Sequence, residues 1–329
     1  MRTRLIAVAL LVFFSVQSST VTAAPLQSPS VKWVTLGTGG GPLPRVNRAQ
    51  PANALIVGDV VYLFDVGDGV QRQLAAAQLP TASVRAVFLS HHHIDHTAGL
   101  GPFLFGRWLF NLYAPIPVVG PPGTVAMISG LAVAYRPAEL APITVGGPRK
   151  PPFGSSVKAS DLGTDLVKPT IVYQDDNIRV LAVLNDHYHF EVGTEPARFS
   201  RSYSYRIETG SRIIAYSGDT GPSSSLTKLA ADADLLVSEV IDMPAMKQVL
   251  ANAPGLTHAT RGPLLAHMEQ DHLTPEQIGN LAQAARVKRV VLTHVAPGMD
   301  GQSDVRHLAS GVARLFNGPV VVANDLDRF

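Results

Sequence analysis

Four histidines and one aspartate fall within six consecutive positions, His91-His92-His93-Ile94-Asp95-His96. Neutral imidazoles and a carboxylate are the usual donors to a catalytic zinc ion. Such a cluster has little structural use, because each buried ring demands a hydrogen-bond partner and none adds much apolar area. It directly follows the apolar run Val84-Arg85-Ala86-Val87-Phe88-Leu89, which reads as a buried strand. The polar residues therefore stand where a strand opens into a loop and then a helix. A lone His-x-His at such a junction arises by chance, whereas His91-x-His93-x-Asp95-His96 is a much narrower pattern. A solvated histidine-rich loop, the bland alternative, has no reason to follow a buried strand so closely.

That pattern, followed by Thr97-Ala98-Gly99, resembles the signature of the metallo-β-lactamase superfamily of binuclear metallohydrolases. The resemblance implies three further ligands in chain order: a histidine, a bridging aspartate and a last histidine. His187 follows the strand-like residues 178–184, and His189 is its rival two positions on; the family's ligand directly follows a strand and a polar residue, which favours His187. Asp219 sits in Ser217-Gly218-Asp219-Thr220 after another strand, where one carboxylate could span two cations. An Asx-turn before a helix at 223–230 is the structural alternative. His294 is delivered by a strand at 287–293. The resemblance thus assigns His91, His93 and His187 to one ion, Asp95, His96 and His294 to the other, and Asp219 to both. Two zinc ions are expected, and manganese or iron would suit the same donors.

Asp65, at the strand end Phe64-Asp65, reads equally as a residue orienting a metal-bound histidine or as a helix cap. His272, in Asp271-His272-Leu273-Thr274, is a candidate proton donor to the leaving group; its alternative is a histidine at a helix start with no chemistry. With the ligand Asp95 it makes up the expected catalytic pair. His258, His267 and His307 fit no motif and read as ordinary helix or surface residues.

The elements that must position these residues can be followed along the chain. A first strand at 31–36 ends in the glycine run Gly37-Thr38-Gly39-Gly40-Gly41, read as a close-packed turn near the metal site. Hairpins are expected at 52–64 across Gly58-Asp59 and at 203–216 across Thr209-Gly210. Thr274 and Pro275 form a helix start, with the helix running to 285. Residues 100–113 are rich in aromatics, mostly core, with one or two available to a substrate pocket. Residues 137–169, with repeated Pro and Gly, read as an excursion over the surface that could border the site. The resemblance, which covers about residues 31–325, implies an αββα sandwich of two mixed β-sheets faced by helices; composition alone supports only the α/β class.

Composition bounds the rest. The chain has 329 residues, 46% of them apolar, enough for one large domain spanning 25–329. Arg2 and Arg4, the apolar residues 5–14 and the small residues ending at Ala24 describe a cleavable signal peptide over 1–24, hence a periplasmic or secreted enzyme with no membrane attachment. A retained anchor would need about 20 apolar residues, which the polar segment 15–20 interrupts. Cysteine is absent, so no thiolate can serve as a ligand. The two leader arginines account for the formal +2, leaving 25 basic against 25 acidic residues, and no nucleic-acid partner is expected. A homodimer is compatible with the sequence but not encoded in any visible feature. Gly37-Thr38-Gly39, Asp65-Val66-Gly67-Asp68-Gly69, the Asp219 motif and His272-Leu273-Thr274 resemble the ribonuclease Z and arylsulfatase-like branch. The expectation is an exported binuclear zinc hydrolase of small sulfate or phosphate (di)esters, using a metal-held hydroxide. Its alternatives are a β-lactamase or lactonase, then a ribonuclease Z-like nuclease or a non-catalytic metal-binding module.

Overall fold

Residues 29–141, 150–300 and 304–329 are described by the computed structural model; the expected signal peptide lies outside them. Thirteen strands form two sheets. The first runs in chain order: β1 (Val31–Gly37), β2 (Ala52–Val57), β3 (Val60–Val66), β4 (Val84–Phe88), β5 (Ile116–Gly120) and β6 (Val157–Asp161). The second contains β7 (Thr170–Gln174), β8 (Ile178–Leu184), β9 (Tyr203–Thr209), β10 (Ile213–Tyr216), β11 (Leu235–Ile241), β12 (Val290–Ala296) and β13 (Val320–Val322). Each sheet begins as an antiparallel meander and continues with parallel strands joined through helices. The two halves of the chain therefore repeat one plan, as expected for two mixed sheets.

Alternation along each strand sends successive side chains to opposite faces. In β3, Val61 and Leu63 join the apolar layer against the helices Val70–Ala76 and Leu100–Leu109, while Tyr62 and Phe64 join the layer between the sheets. In β12, Val290 and Leu292 meet the helices Pro275–Ala285 and Arg306–Ala313, and Val291 faces the other sheet. Both faces of these strands are covered, which is why they read as unbroken apolar runs. The result is the αββα layering. Among the described residues no helix is long and apolar enough to cross a membrane.

The layer between the sheets is aromatic at its centre. Phe64 stacks on Phe88 with centroids 4.9 Å apart, and Tyr205 meets Phe64 edge-on at 5.9 Å. The buried hydroxyls all find acceptors, which a tyrosine core requires. Tyr205 donates to the carbonyl of Leu89 at 2.6 Å and Tyr216 to the Asp65 carboxylate at 2.6 Å. Core packing is thereby tied to the strand ends that carry the histidine cluster.

One expectation holds and one changes. Phe103, Phe105 and Trp108 are buried in the core, as most of the aromatics of 100–113 were expected to be. The stretch 137–169 is no simple surface excursion. Part of it, residues 142–149, lies outside the described residues, but Phe153 is fully buried and β6 adds a parallel edge strand beside β5. Trp108 donates its indole N–H to the Pro151 carbonyl at 2.8 Å, fastening the return. Because β6 is an edge strand, Val157-Lys158-Ala159-Ser160-Asp161 stays half exposed and shows no apolar run to read.

Candidate metal centre

Most candidate ligands follow a strand end, and all gather at the same rim of the sandwich. β4 ends at Phe88 and the chain turns through Ser90 to His93 into the short helix Ile94–Thr97. Leu184 ends β8 just before His187, and Tyr216 ends β10 just before Asp219. His294 and Asp65 arrive differently. In β12 the register against β11 jumps from Thr293 to Val295, and in β3 the register against β2 jumps from Phe64 to Val66. Both skipped residues have left-handed backbones, with φ 45° at His294 and 58° at Asp65. A bulge at a sheet rim re-aims a side chain, and here each half of the chain uses one. Gly40 permits the close pass over His294, since a Cβ there would lie 2.8 Å from the His294 Nδ1.

The folded chain collects the seven predicted residues. His91, His93, His187 and Asp219 each place one donor atom within 4.8 Å of the others, and so do Asp95, His96 and His294. One oxygen, Asp219 Oδ2, is common ground: it lies 3.8 Å from His91 Nε2, 3.3 Å from His96 Nε2 and 3.1 Å from His294 Nε2. Asp95 Oδ2 is 3.6 Å from His96 Nε2 and 3.5 Å from His294 Nε2. His187 Nε2 approaches His93 Nδ1 at 3.2 Å.

Whether this arrangement suits a cation can be judged from its unpaired atoms. His91 Nε2, His96 Nε2, His294 Nε2 and Asp219 Oδ1 are fully buried and make no hydrogen bond within the described residues. Leaving one buried polar atom unsatisfied costs about 1–3 kcal/mol, and these converge on one spot. The donor set, all imidazole and carboxylate, is the one a divalent metal ion takes.

The Nδ1 atoms of His187, His96 and His91 are tied back, whereas His294 Nδ1 is buried without a hydrogen-bond partner among the described residues. His187 Nδ1 donates to the Asp271 carbonyl at 2.9 Å and His96 Nδ1 to Asp65 Oδ2 at 2.8 Å. His91 Nδ1 meets Ser90 Oγ at 3.0 Å, and that hydroxyl donates to Asp65 Oδ2 at 2.7 Å. These bonds leave the Nε2 atoms of His91 and His96 unpaired and turn that of His187 toward His93. Asp65 also accepts from the Ser90 N–H at 2.7 Å and from Tyr216, so one buried carboxylate orients two rings. It caps no helix: the helix Val70–Ala76 begins at Gly69 without a side-chain cap. Replacing Asp65 with alanine is expected to weaken metal affinity about 10–100-fold. Chelator competition on the purified variant measures this; affinity equal to the parent's would show that the orienting bonds do not matter.

Electrostatics separates the two groups. Burial pushes His91 and His187 well below the ordinary imidazole value, with neighbouring imidazoles adding to the effect, and burial brings His93 down to about 4. These rings are neutral at pH 7, as ligands must be. Burial also opposes charge on His96 and His294, but Asp219 and Asp95 outweigh it, raising His96 well above its usual value and His294 to about 10. Asp95 falls to about 2 against the penalty of burial, through His96 and His294. The carboxylates thus demand positive charge at this point.

His272 is buried beside the centre, in reach of Asp219 and His294, with its Nδ1 2.6 Å from Glu239 Oε2. Glu239 also accepts from the Thr220 N–H at 2.5 Å. The sequence reading left Glu239 without a role, although a glutamate inside the wholly buried strand Leu235–Ile241 was itself a signal. His189 joins no ligand group; its Nδ1 bonds Asp271 Oδ1 instead. Asp271 Oδ2 also holds His267 Nδ1 at 2.5 Å, which brings the His267 ring within 5.6 Å of His187, so His267 is not a remote surface residue. His307 bonds Asp242 at 2.7 Å, and His92 turns away to Thr124 at 3.0 Å. The side chain of His258 lies outside the described residues.

Comparison with known proteins adds to this geometry. Residues 61–295 match the family described as a beta-lactamase superfamily domain. Ribonuclease Z of Mycobacterium marinum (strain ATCC BAA-535 / M) is 31% identical over 306 residues, spanning 90% of this chain and 97% of that one. Ribonuclease Z of Mycobacterium bovis (strain BCG / Pasteur 1173P2) is 29% identical over 304 residues, spanning 90% and 96%. The metallo-beta-lactamase fold protein YhfI from Bacillus subtilis superposes with a TM-score of 0.64 at 20% identity, over 91% of this chain and 98% of that one, which shows the shared fold. The expectation of no nucleic-acid partner is overturned by these relatives, which are named as ribonucleases. It rested on a zero balance of charge over residues 25–329. Binding a phosphodiester at one site needs cations only locally, and net charge averages that away.

Proposed function

Because the chain belongs to the metallo-β-lactamase superfamily, a family of metal-dependent hydrolases, we propose that it is a binuclear zinc phosphodiesterase whose substrates are RNA or smaller nucleotide diesters. The observation that carries the reading is Asp219 Oδ2, within 3.8 Å of imidazole nitrogens from both ligand groups. A carboxylate so placed can serve two ions at once. Two bound divalent ions supply Lewis acidity at a phosphoryl oxygen and make water nucleophilic at neutral pH. His91, His93 and His187 hold one ion and Asp95, His96 and His294 the other. His272, its Nδ1 committed to Glu239, holds a proton for the departing oxygen. The ribonuclease Z relatives favour a phosphodiester over the other ester classes.

The test is zinc content of the purified chain together with turnover of a precursor tRNA, bis-p-nitrophenyl phosphate, p-nitrophenyl sulfate and nitrocefin. About two zinc per chain with cleavage of either diester is expected. Turnover confined to the aryl sulfate or to nitrocefin would overturn the substrate class, and zinc-free protein would overturn the centre. Arg2, Arg4 and the apolar residues 5–14 support a second part of the proposal, export with cleavage after Ala23 or Ala24. N-terminal sequencing of the protein from cells should start at Ala24 or Pro25; an intact leader would refute it.

A further inference from the structure

Beside the metal centre lies a cavity of about 740 Å³ that no ligand residue lines. Its volume is that of a small-molecule or nucleotide site, for which roughly 300–1,000 Å³ is usual. Its lining includes Tyr188 and Phe190, from the segment immediately after His187, together with Arg198 and Arg201.

The aromatic side forms a ladder. The Tyr188 ring lies 4.8 Å from His187 and 5.4 Å from His93, and Phe190 stacks on Tyr188 at 5.0 Å with the planes 21° apart. Phe190 is 42% exposed, so one face of the ladder is open to a further ring. An apolar side chain left open at the rim of a polar centre is a stacking surface for a planar group.

The lining is also cationic. The Arg198 guanidinium makes no hydrogen bond or ion pair among the described residues, and Arg201 bonds only carbonyl oxygens, those of Thr164, Ala197 and Ser200. Neither arginine has a carboxylate partner. Asp186 is the one acidic residue on the lining. A planar surface and two guanidiniums lining one cavity suit a ligand with both a flat ring and an anionic group.

We propose that this cavity is a nucleotide subsite: it stacks a base of the substrate on Phe190 and holds a flanking phosphate with Arg198 and Arg201. The proposal rests on the phosphodiesterase reading and names the part of the substrate next to the scissile bond. Only the Tyr188 ring separates Phe190 from His187, so a base stacked there belongs to a nucleotide adjoining that bond.

Two esters with the same leaving group test it, p-nitrophenyl thymidine 5′-phosphate and methyl p-nitrophenyl phosphate, with bis-p-nitrophenyl phosphate as the aryl control. The thymidine ester should show a KM about tenfold below that of the methyl ester, the scale of one stacked base. Phe190→Ala should close most of that gap and Phe190→Tyr should keep it. Equal KM values in the parent, or a Phe190→Ala effect of the same factor on both esters, would overturn the subsite. So would a thymidine ester no better than the aryl control, which would assign the platform to simple aryl groups. A binding readout separates the subsite from hydrolysis. In Phe190→Trp, uridine 5′-monophosphate should quench indole fluorescence, and Arg198→Gln in that background should weaken quenching by the monophosphate severalfold more than quenching by uridine. Quenching without turnover of any ester would keep the subsite and sink the phosphodiesterase reading. Absent quenching would sink the subsite even if the esters are cleaved.

Discussion

Asp219→Ala is expected to lose bound metal and to lower kcat/KM by more than about 100-fold, beyond the 10–100-fold loss typical of residues that only orient a ligand. The reason is position. Among the described residues its carboxylate is the one group within hydrogen-bond or ion-pair distance of imidazoles from both halves of the centre, His91 on one side and His96 and His294 on the other. Its negative charge is also what raises His96 and His294 against burial. Removing one partner of a buried charged pair destabilises a fold by about 3–5 kcal/mol, so Asp219→Asn, which keeps the volume and one oxygen, is the companion variant. Zinc content by atomic emission, circular dichroism and turnover are measured on both. A folded Asp219→Asn protein that keeps two zinc and parental turnover would remove the bridging role.

His272→Ala should act on a different quantity. Its Nδ1 is held by Glu239 at 2.6 Å, an arrangement that orients the ring and favours its protonated form. General acid catalysis contributes about 10²–10⁴-fold, but only where the leaving group needs a proton. A ribose alkoxide does, and p-nitrophenolate, a far weaker base, scarcely does. Loss of His272 is therefore expected to slow RNA cleavage by about 100-fold or more, with bis-p-nitrophenyl phosphate affected far less and zinc content unchanged. Glu239→Gln should follow the same pattern more weakly, because it leaves the imidazole in place and removes only the partner that supports its charge. Equal losses on both substrates together with lost zinc would make His272 a ligand instead; its distance to Asp219 and His294 permits that outcome.

How much of this was legible in the chain differs from residue to residue. His91, His93, Asp95 and His96 could be found because they are neighbours in sequence and follow one strand. Asp219, His187 and His294 each ended a strand-like run, and once the family pattern was recognised their order was sufficient. Glu239 and Asp271 carried no motif: one is a lone acid in a buried strand, the other the C-cap of the helix His258–Gln270. Tyr216 and Ser90 looked like the end of one strand and a turn residue, yet they join Asp65 in the network that aims His91 and His96. The two readings left open for Asp65 were decided by contacts from 25 and 151 residues away, which no local pattern encodes.

The sequence alone determined the α/β plan and a metal-binding chemistry, because strand periodicity and the side-chain types that bind cations are local properties; the later candidate donors His187, Asp219 and His294 came from the family pattern. Tertiary structure decided the rest. It brought residues from both halves to one rim, turned Asp65 and His294 out of their sheets by bulges, and placed Asp219 between the two groups. It also built 150–161 into the fold and raised Tyr188 and Phe190, unremarked in the chain, into a wall of the cavity beside the centre. These outcomes depend on register, on which faces are buried and on contacts between residues far apart in the chain, and such quantities exist only after the two sheets have packed.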